Sequence, residues 1–140
     1  MNIIADTNVV VRLLVQDDPV QSAQARKLFL EADSFTIPTS VMCEYVWVLS
    51  HAYKQDRERI ASSIRSLMTV ESVIVKDDEI EAGLTLLEQG GDFADGVHAY
   101  AGSCLAPKHA VFASFDKKAV RLLSAQGTST LSPANLSESE

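Results

Sequence analysis

The sequence predicts an α/β fold with a parallel sheet covered by helices, and three observations carry that expectation. Short apolar runs of strand length alternate with longer segments of helical pattern through the whole chain, which implies crossover connections and parallel strands. The 140 residues suit one domain large enough to bury a core, and 46% hydrophobic with 22% charged residues is an ordinary globular balance. No internal repeat, low-complexity linker or Pro/Gly-rich boundary divides the chain. Residues 1–136 are therefore expected to form a single domain, and Ser137-Glu138-Ser139-Glu140 a flexible acidic tail.

The elements follow in order. Met1 to Ala5 is an apolar run ending in Asp6-Thr7-Asn8, a strand and a turn. A short helix over Val9 to Val15 comes next. After Asp17-Asp18-Pro19 a second helix runs to about Ala32, with Val20, Ala23, Ala25, Leu28 and Phe29 as its apolar positions. Phe35 to Ile37 is a strand, and Pro38-Thr39-Ser40 opens a helix to about Tyr53. The broad apolar face of that helix holds Val41, Met42, Tyr45, Val46, Leu49 and Ala52. A helix over Arg57 to Met68, a strand over Ser72 to Val75 and a helix from Asp78 to Gln89, stopped by Gly90-Gly91, continue the alternation. Helix from about Ala94 to Ala106, strand at Ala110 to Ala113, helix from Lys117 to Ala125 and a last strand near Thr128 to Leu131 complete it.

The apolar runs are too short to span a membrane: Val9-Val10-Val11 meets Arg12, and Glu44 breaks the stretch from Val41 to Leu49. No basic segment followed by an apolar one marks a signal peptide. Cys43 and Cys104 form no C-x-x-C pair and sit in apolar helical stretches, which fits thiols in a reducing cytoplasm. The net charge of −7 argues against simple phosphate binding, unless acids gather a cation that then meets the phosphate. The charge is also uneven: Asp77, Asp78, Glu79 and Glu81 form one patch, and Lys117, Lys118 and Arg121 another.

Four acids stand apart from the solvated ones. Asp6 follows the first strand, Asp116 follows the strand at Val111 to Ala113, and Asp95 opens a helix; ligands bind at such strand ends in parallel sheets. Each of these aspartates is equally a helix N-cap. Glu44 lies about a turn inside an apolar helix, where a buried carboxylate needs a cation, a hydrogen-bond network or a proton. Arg12 or another basic group would serve as that partner, but a shared metal accounts for all four acids together. An all-oxygen set suits Mg²⁺ or Mn²⁺ and, with them, phosphodiester hydrolysis. His51, His98 and His109 have no ligand spacing, and no nucleotide-binding phosphate loop is present.

Four segments carry a resemblance: Ile4-Ala5-Asp6-Thr7-Asn8-Val9-Val10-Val11-Arg12, Val41-Met42-Cys43-Glu44-Tyr45-Val46-Trp47-Val48-Leu49, Asp92-Phe93-Ala94-Asp95-Gly96 and Ser114-Phe115-Asp116-Lys117-Lys118. In order and spacing the chain resembles PIN-domain ribonucleases, specifically VapC-type toxins of toxin–antitoxin systems. The resemblance implies a three-layer α/β/α sandwich and Mg²⁺- or Mn²⁺-dependent endonucleolytic cleavage of RNA. It makes Asp6 and Asp95 the main metal ligands, with Glu44 and Asp116 binding directly or through water. Asn8 would tune the site by hydrogen bonding, and Asp92 would support it or cap a helix. It further implies a homodimer and a VapB-like antitoxin. Gly96 replaces the usual Ala or Cys and is expected to loosen the helix start slightly; Ser114 replaces Thr and keeps the hydroxyl. Lys117, Lys118, Arg121 and Arg12 are candidates for holding RNA phosphates, the first three being equally a solvated helix face.

Rival readings are a Mg²⁺-dependent phosphatase, a PIN ribonuclease of RNA processing outside any toxin module, and a degenerate PIN fold that only binds. A phosphatase of the haloacid-dehalogenase type would want D-x-D, and here Asn8 stands two residues after Asp6. Retention of all four acids opposes the degenerate fold.

Overall fold

A computed structural model describes residues 1–136; the expected acidic tail lies outside the described residues. The chain forms two compact units, residues 1–80 and residues from Glu81 onward. The first holds β1 (Asn2–Ile4), α1 (Thr7–Leu14), α2 (Pro19–Glu31), β2 (Ser34–Thr36), α3 (Thr39–His51), α4 (Arg57–Met68) and β3 (Val73–Ile74). Helix α5 (Asp77–Glu88) runs from the first unit into the second. The second unit continues with α6 (Phe93–Leu105), β4 (Phe112–Ala113), α7 (Lys117–Ala125), β5 (Thr130–Leu131) and a 3₁₀ turn at Pro133–Asn135.

Every strand pairing is parallel, as alternation with helices requires. In the first unit the order is β1-β2-β3, with Ile3 opposite Phe35 and Phe35 opposite Val73. In the second, β4 pairs with β5 through Phe112–Thr130 and Ala113–Leu131. No helix among the described residues is long and apolar enough to cross a membrane. Neither Cys43 nor Cys104 forms a disulfide, and Cys104 is exposed instead of packed as a small hydrophobe.

Local chemistry sets most boundaries. Asp18 caps α2 by accepting from Gln21 N at 3.0 Å, with Pro19 at the first helical position, and Asp56 caps α4 through Arg59 N at 2.8 Å. Helices α5 and α7 end in glycines, Gly90 and Gly127, each at φ 96°. Gly91 N–H donates to Leu86 O at 2.8 Å and Thr128 N–H to Leu123 O at 3.0 Å, closing the last turn in both.

Two helix faces differ from the pattern expected. In α2, Val20 and Ala23 are exposed; the buried seam runs through Ser22 and Ala25 to half-buried Phe29, an i, i+3, i+7 stripe. Ser22 is satisfied there by donating to Val15 O at 3.1 Å. In α3 the core positions are Met42, Tyr45, Val46 and Leu49, while Ala52 is exposed. Ser40, Glu44, Trp47 and His51 share the opposite, exposed stripe, and the Trp47 and His51 rings stack at 4.6 Å.

Candidate active site

Strand β1 delivers the chain through buried Ala5 into α1, whose N-cap is Asp6. Its Oδ1 accepts from Thr7 N at 2.8 Å, so the helix-cap role is real and uses one carboxylate oxygen. Thr7 is itself buried, and its Oγ1 donates to Glu44 Oε2 at 3.1 Å. One residue thus holds both its neighbour Asp6 and Glu44, 37 positions further along the sequence. Asp6, Asn8, Arg12, Glu44 and Tyr53 line a single cleft of about 330 Å³ with Thr7, Val11 and Val48.

Glu44 is exposed, against the expectation of a carboxylate stranded in an apolar helix. The apolar neighbours Val41, Tyr45 and Val48 suggested burial, but the 3.6-residue period turns Glu44 onto the same face as Ser40 and Trp47. The desolvation cost that called for a cation is therefore absent, and the case for Glu44 rests on its bond to Thr7 and its place in the cleft. The competing partner does not take it either. Arg12 Nη1 donates to Asp17 Oδ1 at 2.7 Å and to Tyr53 OH at 3.1 Å, while Nε donates to Gln21 Oε1 at 3.0 Å. Tyr53 OH in turn donates to Asp17 Oδ2 at 3.0 Å. The hydrogen bond with Tyr53 is the main influence holding the guanidinium pKa above its ordinary value; Asp17 adds to it. Among the described residues, no cationic side chain forms an ion pair with Asp6 or Glu44.

The second unit holds the other acids differently. Asp92 is the N-cap of α6, accepting from Ala94 N at 3.2 Å, which leaves Asp95 inside the first turn with no capping duty. No donor reaches the Asp95 carboxylate among the described residues. Partial burial is the largest influence raising its pKa; repulsion from Asp92 and then Asp116 adds to this, and His98 acts in the opposite sense. Asp116 caps α7, its Oδ1 accepting from Lys118 N at 2.9 Å and Ala119 N at 3.1 Å. Ser114 Oγ accepts from Asp116 N at 3.0 Å, fixing the turn before the cap. Lys117, Lys118 and Arg121 are exposed on α7.

Gly96 does not loosen its helix. A Cβ there would stand 2.4 Å from Ala82 O, so the glycine lets the backbone of α6 approach that of α5 directly. Gly83 makes the matching concession, since a Cβ on it would meet the buried ring of Phe93 at 2.6 Å.

Among the described residues, no three or more His, Cys, Asp or Glu side chains stand close enough together to hold a metal ion. The cleft of the first unit offers two acids, each with one oxygen engaged by Thr7 and the other bearing no hydrogen bond among the described residues. These are hard oxygen donors, and Mg²⁺ commonly takes only one or two carboxylates, completing its shell with water and phosphate. The donor chemistry of this pair fits such an ion. Reading the sequence assigned no role to Thr7, Asp17 or Tyr53. Thr7 was visible inside the Asp6-Thr7-Asn8 segment, whereas Tyr53 meets Arg12 41 residues away and left no local signal.

A sequence-family comparison matches residues 3–124 to the PIN domain. No curated protein matches the chain.

Proposed function

Because the chain belongs to the PIN domain family, whose members are generally nucleases that bind RNA or DNA, we propose that it is a Mg²⁺- or Mn²⁺-dependent endoribonuclease. The observation that carries this reading is the pair Asp6 and Glu44, held by Thr7 in one cleft without a neutralising cation of the protein. We also propose catalytic roles for Asp95 and Asp116 of the second unit, whose helix ends Asp92 and Ser114 support; Asn8 borders the cleft of the first. Asp6 and Glu44 would hold a divalent ion, which would supply Lewis-acid activation of water and charge neutralisation at the phosphodiester. The chain's own residues do the rest. Thr7 fixes the direction of both carboxylates, and Arg12, held from three sides, stands at the cleft wall where a phosphate oxygen would lie. Lys117, Lys118 and Arg121, exposed on α7, are further candidates for holding RNA phosphates.

The same reading makes the chain the cytoplasmic toxin of a VapBC-type module, working as a homodimer and silenced by a VapB-like antitoxin. The order of the four motif segments supports it. The decisive experiment incubates the purified chain with single-stranded and structured RNA in Mg²⁺ or Mn²⁺. Cleavage that EDTA and Asp6→Asn both abolish is expected. Hydrolysis of small phosphomonoesters without RNA cleavage would make it a phosphatase and overturn the assignment. For the toxin role, expression should arrest growth and Asp95→Asn should relieve the arrest. An active ribonuclease that cells tolerate would belong to RNA processing.

A further inference from the structure

A second cleft, of about 280 Å³, adjoins the acidic one and shares Asn8 and Arg12 with it. Its chemistry is different. No acid lines it; its polar groups are the amides of Asn8, Gln21 and Gln24 and the Arg12 guanidinium, set against apolar Val9, Ala25 and Leu28. The volume falls just below the usual range of ligand pockets, about 300–1,000 Å³, and suits a single nucleotide and not a duplex.

Arg12 is built to stand between the two clefts. Of its five N–H groups, three are spent on Asp17, Tyr53 and Gln21. Both hydrogens of Nη2 carry no bond among the described residues, so the fixed guanidinium turns an unspent pair of donors outward. Such a preorganised fork suits a phosphate better than a mobile lysine would. The amides are equally unspent. Asn8 and Gln24 make no side-chain hydrogen bond among the described residues, and Gln21 accepts from Arg12 while its NH₂ donates to nothing. An amide offers a donor beside an acceptor, the combination that pairs with the edge of an unpaired base, and Leu28 and Val9 give that base an apolar wall.

We propose that this second cleft is a nucleotide subsite: Arg12 holds the phosphate joining that nucleotide to the cleavage point, and Asn8, Gln21 and Gln24 read its base. The subsite rests on the nuclease reading above and deepens it, because it makes the enzyme select a base at one position beside the cut. Asp17 and Tyr53 act through Arg12 as positioning residues.

The test uses the full chain, with Gln24→Ala and Gln24→Glu as variants; Gln24 is exposed, and thermal melts confirm that both fold. Labelled single-stranded RNA oligonucleotides that differ at one position are titrated in EDTA and, separately, cut in Mn²⁺ with the products mapped. Wild type should prefer one base by about tenfold at a single position flanking the cut, the scale of one good base contact. Gln24→Ala should flatten that preference at this position alone. Gln24→Glu should move it towards bases that present amino groups, since a carboxylate only accepts. An unchanged preference in both variants, or a wild type indifferent to base at every flanking position, overturns the subsite. Base-selective binding that Gln24→Ala removes, with no cleavage in any metal, would sustain the subsite and sink the nuclease. Neither binding nor cleavage would sink both.

Discussion

Asp6 and Glu44 of the first unit and Asp95 of the second are held by opposite means. Asp6 and Glu44 are both tied to Thr7, one through its backbone N–H and the other through its hydroxyl, at 2.8 and 3.1 Å. Asp95 has no donor among the described residues, and its partial burial, then repulsion from Asp92 and Asp116, pushes its pKa up. One oxygen of each carboxylate in the first pair is thus fixed by the protein before anything binds. Asp95 instead keeps a raised pKa through burial and repulsion, which His98 offsets only in part. Sites of this kind commonly sacrifice stability for function, so the two groups should respond differently to the same substitution.

The largest expected effect tests whether both groups serve one reaction. Asp6→Asn and Asp95→Asn should each lower RNA cleavage by about 100-fold or more, the scale on which positioned electrostatic groups act. A variant of either residue that kept full activity would break the link between the two acid sets. Next, Gly96→Ala should destabilise by about 1–3 kcal/mol, as overpacking does, because its Cβ meets a backbone carbonyl that no rotamer change can move. A thermal melt reads this directly; an unshifted midpoint would show that α5 and α6 can separate freely. Thr7→Val should reduce cleavage about tenfold, in line with losing a residue that orients a ligand, while Thr7→Ser restores most of it.

The smallest effect is the most discriminating. In EDTA at neutral pH, Asp95→Asn should raise the melting temperature, whereas Asp6→Asn should leave it nearly unchanged, since Asn caps as well as Asp. The gain should be below about 1 kcal/mol, because solvent screens a carboxylate this exposed. The sign follows from proton linkage. Asp95 has a folded pKa above its ordinary 3.8, so the folded chain binds more protons than the unfolded one between these values. Its stabilising contribution is complete below pH 3.8 and lost as pH rises through the raised value. The advantage of Asp95→Asn should therefore open on going from acid to neutral pH; an advantage independent of pH would remove charge repulsion as its cause.

Much of this was legible in the chain itself. The helices at Arg57–Met68 and Lys117–Ala125 match the expected spans residue for residue, because caps at Asp56 and Asp116 are local signals. Strands were harder. The run from Ala110 to Ala113 shortens to Phe112–Ala113, since parallel pairing depends on where a partner more than a dozen residues away begins. Asp6 and Glu44 were readable as partners and do share a cleft, but the reason given for Glu44 did not hold. Apolar neighbours describe composition, whereas exposure depends on which third of the helix surface meets the core. Gly96 misled in a similar way: helix propensity is a local quantity, and the contact with Ala82 O is not. The Arg12–Asp17–Tyr53 network is likewise assembled by the fold, and no spacing announces it.

The backbone contact at Gly96 bears on how a mutational scan of this chain should be read. Damage there would register as lost activity one residue from Asp95, and a map of inactivating positions would draw Gly83, Gly96 and the acids of the second unit together as one patch. Only the acids in that patch would be chemistry; the glycines would be clearance. Soluble yield separates them, because a chain lacking a carboxylate accumulates intact while one lacking clearance is lost before it can be assayed.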